Sequence, residues 1–127
     1  MGTGTGIGRV RGLGSARHGA LHWWRQRLTA GSNLVVATWF VVSLFRLPAF
    51  DLKTVHQWVA SPMNAVLLLL FTGSVFYHFR LGLQVVIEDY QHEGSRFVAL
   101  VLLNFYTVAL AATAVFSILK IAFGGVA

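Results

Sequence analysis

The sequence predicts an all-α integral membrane protein with three transmembrane helices, forming part of a larger heteromeric helix bundle. Three observations lead there. Of 127 residues, 56% are hydrophobic and only 11% are charged, against about 25% charged in a soluble domain. Mean hydropathy is +0.67. Three long uncharged stretches each approach or exceed the roughly 20 apolar residues that cross a hydrocarbon core. So few charges cannot cover a water-facing surface, which argues against a soluble enzyme. So apolar a chain also argues against disorder.

Residues 1–20 hold seven glycines, three arginines and no acid. We assign residues 1–22 as a flexible basic N-terminal segment. It lacks the compact apolar run of a signal peptide, and glycine makes it a poor amphipathic transit helix. Residues 23–127 form the membrane domain, with spans expected at about 28–47, 58–87 and 97–120. The second span passes through His78 and Arg80 and continues along Leu81–Ile87, again apolar.

The ends of the spans carry suitable chemistry. Trp23 and Trp24 precede the first and Trp58 opens the second, where aromatic rings anchor at the membrane interface. Pro48 is expected to stop the first helix. Pro62 falls in the opening turns of the second span, where proline is best tolerated.

The formal charge of +6 is read as membrane orientation rather than nucleic-acid binding, because cytoplasmic loops collect Lys and Arg. Arg9, Arg11, Arg17, Arg25, Arg27, Arg80 and Arg96 fall on one side. Arg46, Lys53 and Lys120 fall on the other. This split predicts a cytoplasmic N-terminus and 88–96 loop.

Small and polar residues form stripes at helical spacing. Asn104, Thr107, Ala111 and Ala114 lie along the third span, and Thr29, Asn33 and Ala37 along the first. Such stripes mark helix–helix contacts in lipid. Each stripe reads first as packing within the chain, and together they suggest a subunit of a larger bundle.

The absence of cysteine rules out disulfides, zinc–thiolate sites and iron–sulfur ligands in this chain. No Gly-x-Ser-x-Gly, P-loop or His-Glu-x-x-His motif occurs. The glycines at 2, 4, 6 and 8 lack the strand–turn–helix context of a dinucleotide site.

His78 is the most informative residue. An ionisable group inside a span is costly and marks a candidate functional site, and imidazole can bind metal or haem iron or relay protons. A neutral histidine bonded to a neighbouring helix is the alternative. Gly82 lies one turn on, where a missing side chain leaves room for a flat macrocycle or for a close helix. Arg80 could pair with a haem propionate or extend to the headgroups. His56 is about 33 Å from His78 along a continuous helix, so the two cannot share one iron. If His78 binds haem, a second axial ligand is expected from another subunit.

Asp89 and Tyr90 close the second span. A tyrosine hydroxyl can donate a hydrogen bond to a quinone carbonyl, and a carboxylate can orient it or pass a proton. The plainer reading is an aromatic belt residue beside a solvated acid. Asp89 lies about 20° from the His78 face and about 16 Å away.

With these residues in place, the chain resembles the hydrophobic membrane anchor subunits of succinate dehydrogenase. The resemblance rests on His78-x3-Gly82-x6-Asp89-Tyr90 at the end of the second of three spans. Arg27-x-Thr29-Ala30, after His22-Trp23-Trp24, supports it. It covers roughly residues 18–120 in topology and spacing.

The resemblance implies a subunit of succinate:quinone oxidoreductase (respiratory complex II) without the succinate-oxidising site. Its partners would be a cytochrome b membrane subunit, an iron–sulfur subunit and a flavoprotein subunit. The two membrane subunits would share haem b, with ubiquinone as electron acceptor. His78 corresponds to the haem axial ligand, hence the iron ligand. Gly82, Arg80 and Arg27 are the expected cofactor-binding companions, and Tyr90 and Asp89 the quinone-binding pair. The expected location is a bacterial inner (plasma) membrane, with the mitochondrial inner membrane as the alternative. A fumarate reductase anchor and a non-catalytic scaffold or assembly protein are the competing functions.

Overall fold

The computed structural model describes residues 19–124. Four helices account for nearly all of them: α1 (Gly19–Phe45), α2 (Leu52–Ala60), α3 (Pro62–Tyr90) and α4 (Glu93–Phe123). Among the described residues, α1, α3 and α4 are long and apolar enough to cross a membrane. They are the three expected spans.

Helix α1 begins at Gly19, inside the segment assigned as a flexible leader; residues 1–18 of that segment lie outside the described residues. Its first two and a half turns hold Trp23, Arg25 and Arg27, charged and interfacial residues that a hydropathy reading leaves out. A local contact supports this stretch: the Arg27 guanidinium stands 4.4 Å over the Trp23 ring, one helical turn away. The helix ends at Phe45, just before Pro48.

The second expected span, 58–87, is broken near its start: residues 58–60 end α2, and the rest lies in α3 apart from Ser61 between them. Pro62 lacks a backbone N–H and disfavours helical geometry at the preceding residue. Ser61 accordingly takes an extended conformation (φ −63°, ψ 127°), and Pro62 starts α3. The short α2 is capped by Asp51, whose carboxylate accepts from the Thr54 amide at 3.3 Å and its hydroxyl at 2.6 Å. These bonds hold the Asp51 pKa below its ordinary value. Trp58 of α2 stacks on Trp39 of α1 (5.9 Å, 19° between planes).

Gln91 and His92 connect α3 to α4, and Glu93 takes a left-handed φ of 46° at the head of α4. The first and third spans do not meet. Helix α1 packs along one side of α3, α4 along another, and α2 rests on α3 and α4. The chain is thus a layer with α3 in the middle. Among the described residues only Ala65, Leu68, Leu81, Leu103 and Thr107 are buried, all on α3 or α4. Large apolar side chains such as Leu28, Phe45, Phe105 and Phe116 face outward, as expected where lipid is the solvent.

Residues of both small-and-polar stripes make contacts within the chain. Thr29 meets α3, while Asn104 meets Arg80 of α3 and Thr107 is 5% exposed.

Candidate functional site

His78 lies well inside α3, 16 residues after its start, and its ring is turned toward α1. The imidazole Nδ1 is 3.1 Å from the Thr29 hydroxyl. One turn along, Ser74 and Ser32 share a 2.7 Å hydrogen bond. Phe71 then meets Phe40 with centroids 5.1 Å apart. These contacts form a polar-to-aromatic seam whose pairs run in opposite chain directions. The seam exists because Phe71, Ser74 and His78 recur at helical spacing on one face of α3, and Thr29, Ser32 and Phe40 do the same on α1.

Gly82 is about 40° round α3 from His78. A Cβ added there meets nothing within 4 Å, so the chain leaves room beside the histidine on the side of the α3–α4 turn. No helix packs so closely at Gly82 that it requires a glycine. Among the described residues no three His, Asp or Glu side chains converge as a metal site. A haem iron needs no such cluster, and His78 is the candidate ligand among these residues. A half-buried imidazole beside unfilled space fits that group.

Arg80 points elsewhere. It is about 200° round α3 from His78, and its Nε donates to Asn104 Oδ1 of α4 at 2.5 Å. Asn104 in turn donates from Nδ2 to the Leu100 carbonyl at 2.8 Å. The arginine and histidine are neighbours in sequence but serve opposite sides of the helix. Arg27 is likewise about 200° round α1 from Thr29 and lies over Trp23. The structure therefore brings neither arginine to the His78–Thr29 contact.

Asp89 and Tyr90 are the last two residues of α3, both exposed, with Tyr90 79% exposed. They stand at the end of the layer that also carries the start of α1. His22 is half-buried in the first turn of α1, and His92 is exposed in the α3–α4 connection. His56 belongs to α2, beyond the start of α3.

Two participants are not evident from sequence. The sequence marks Thr29 only as part of a stripe and of the Arg-x-Thr-Ala motif, not as the partner of His78, and it does not mark Ser32 at all. Their signal is polarity inside an apolar run, at positions that match His78 and Ser74 once α1 and α3 are paired antiparallel.

The comparisons with known proteins agree with this architecture. Residues 1–118 match the family model of the succinate dehydrogenase/fumarate reductase transmembrane subunit. The chain is 30% identical over 114 residues to a succinate dehydrogenase hydrophobic membrane anchor subunit of Rickettsia bellii, covering 87% of this chain and 91% of that one. The protein of the same name from Paracoccus denitrificans is 26% identical over 117 residues, covering 92% and 91%. A succinate dehydrogenase membrane anchor subunit of Reclinomonas americana is 29% identical over 99 residues, covering 74% and 82%. No solved structure matches. With a family model spanning nearly the whole chain and three apolar helices in place, this multi-pass membrane protein belongs to the succinate dehydrogenase/fumarate reductase transmembrane subunit family.

Proposed function

We propose that this chain anchors a succinate:quinone oxidoreductase in the membrane, gives haem b one axial ligand from His78, and forms part of a ubiquinone site with Tyr90 and Asp89. The observation that carries the reading is an imidazole inside a span, next to space that Gly82 leaves open. The family to which the chain belongs supplies the physiological context.

Bound haem b supplies a one-electron store within the membrane. The chain's own residues hold and orient. His78 presents its ring from the middle of the layer, and Gly82 keeps the adjacent space clear. The partner cytochrome b subunit would supply the second protein ligand. The iron–sulfur and flavoprotein subunits oxidise succinate and deliver electrons to quinone. They sit on the side of the α3–α4 turn, which is the cytoplasmic side of a bacterial plasma membrane. The Tyr90 hydroxyl donates a hydrogen bond to a quinone carbonyl, and Asp89 orients the ring or passes a proton. The exposure of both residues in this chain leaves them free to meet quinone and partner.

The test is purification of the tagged chain with its partners in mild detergent, followed by a reduced-minus-oxidised visible spectrum. The expected result is a b-type haem signal in a complex with large soluble subunits, lost or strongly perturbed by His78→Ala. An unchanged haem spectrum in His78→Ala removes the ligand assignment. Purification without haem and without such partners removes the anchor function and leaves a scaffold.

A further inference from the structure

We infer that Thr29 is a positioning residue that locks the tautomer of His78, directing the bare nitrogen of the imidazole away from α1 as a ligand. The inference rests on the proposed role of His78 as haem ligand and adds how this chain prepares it.

The argument is one of proton accounting. A threonine hydroxyl has one proton and two acceptor lone pairs. The Thr29 hydroxyl lies 2.9 Å from the Arg25 carbonyl and 3.0 Å from the Gln26 carbonyl. Carbonyl oxygens only accept, and two of them compete for the hydroxyl proton at shorter range than the single imidazole nitrogen, which favours keeping it on its own helix. With the hydroxyl proton on a carbonyl, the remaining contact, 3.1 Å to His78 Nδ1, takes its proton from the histidine. Nδ1 carries N–H and donates to Thr29 Oγ1. In a neutral imidazole the other nitrogen, Nε2, is then unprotonated.

That arrangement has two effects. It makes Nε2 a ready ligand without a proton to displace. It also raises the basicity of the ligating nitrogen, because hydrogen-bond donation from the far side of the ring pushes electron density toward it. A more basic ligand favours ferric over ferrous iron and lowers the midpoint potential. The restraint comes from α1, so the geometry of the His78 ring depends on the packing of two helices.

The complex is purified with its partner subunits as Thr29→Val, Thr29→Ala, Thr29→Ser and His78→Ala variants. Haem content per complex, the haem midpoint potential and the low-spin electron paramagnetic resonance spectrum are read, none of which requires turnover. Thr29→Val keeps the bulk and removes the acceptor; Thr29→Ala is the smaller replacement should valine hinder assembly. Both should retain haem roughly tenfold or more weakly, and their midpoint should move to more positive values. A tenfold change in ferric-over-ferrous preference reads as about 59 mV for one electron. Thr29→Ser should restore the wild-type potential and spectrum, which a loss of packing alone would not predict. Wild-type retention, potential and spectrum in Thr29→Val or Thr29→Ala, with haem lost in His78→Ala, overturns the tautomer lock and leaves the ligand standing. Haem unchanged in His78→Ala overturns the ligand and the lock together.

Discussion

Replacing Asn104 with leucine removes the acceptor that holds Arg80 against α4. The bond runs from Arg80 Nε to Asn104 Oδ1 at 2.5 Å, and the arginine is half-buried between two helices. Hydrogen bonds to charged groups contribute about 1.5–3 kcal/mol in soluble proteins. Between helices in lipid, measured values average about 0.6 and reach about 1.7 kcal/mol, because the separated helix finds other partners. Lipid sets the relevant ceiling, and a short charge-assisted bond belongs near it. The expected coupling between Arg80 and Asn104 is about 1–1.7 kcal/mol, roughly five- to twentyfold in the α3–α4 docking equilibrium. The chain contains no cysteine, so cysteines placed at exposed Val66 on α3 and Phe116 on α4 carry the only spin labels. Their separation is followed in lipid–detergent bicelles titrated with sodium dodecyl sulfate, for wild type, Asn104→Leu, Arg80→Leu and the double variant. A double-mutant cycle isolates the pair from the packing of each side chain. A coupling energy near zero would refute the claim that this bond fastens α4 to α3, leaving the contact to shape alone.

Other substitutions have equally definite outcomes. Tyr90 is 79% exposed, so Tyr90→Phe should leave the thermal midpoint of the complex unchanged. It should raise the KM for ubiquinone about two- to tenfold, the value of one hydrogen bond; unaltered quinone kinetics would remove Tyr90 from the site. Trp58 contacts Trp39 at 5.9 Å and Phe40 at 6.1 Å, two aromatic pairs worth about 1–3 kcal/mol together. Trp58→Ala should speed hydrogen exchange of the α2 amides accordingly, with α3 little affected. Asp51→Ala should fray α2, whereas Asp51→Asn, another good cap, should preserve it. The lowered pKa of Asp51 gives this cap a pH dependence. Its contribution is complete above the ordinary aspartate range and is lost as pH falls through the lowered value. Hydrogen exchange of the α2 amides in the full chain, corrected for its intrinsic pH dependence, checks the sign: protection should fall on acidification, and Asp51→Asn should remove most of that dependence.

The positions of the spans were legible in the sequence because lipid demands about 20 apolar residues in a row, whatever the neighbours. The break at Ser61–Pro62 was half legible. Proline marked a helix start, but the uncharged run through it hid the two-helix outcome. The early start of α1 was not legible, because Trp23, Arg25 and Arg27 look like an interface, and a helix there depends on local contacts such as Arg27 over Trp23. His78 stood out as an ionisable group in apolar surroundings. Its partner did not, since pairing Thr29 with His78 requires the register of α1 against α3, a long-range property. Arg80 shows the same divide. Helical geometry alone turns it away from His78, but only the packed structure identifies Asn104 as its acceptor.

The layer order also bears on how the chain is made. Helix α1 packs along α3 and not along α4, and its polar seam is closed by Ser74 and His78. A ribosome adding about 5–20 residues per second reaches His78 about 2–7 s after completing Phe45. During that interval α1 must wait in or beside the insertion channel with Thr29, Ser32 and Asn33 uncovered, while Arg27 and Arg46 flank its uncharged run. Helix α4 never waits, because its neighbour α3 is already in place when it emerges. The delicate moment in biogenesis therefore belongs to the first helix. Polar substitutions on its seam should send nascent chains to quality control before any cofactor or partner is encountered.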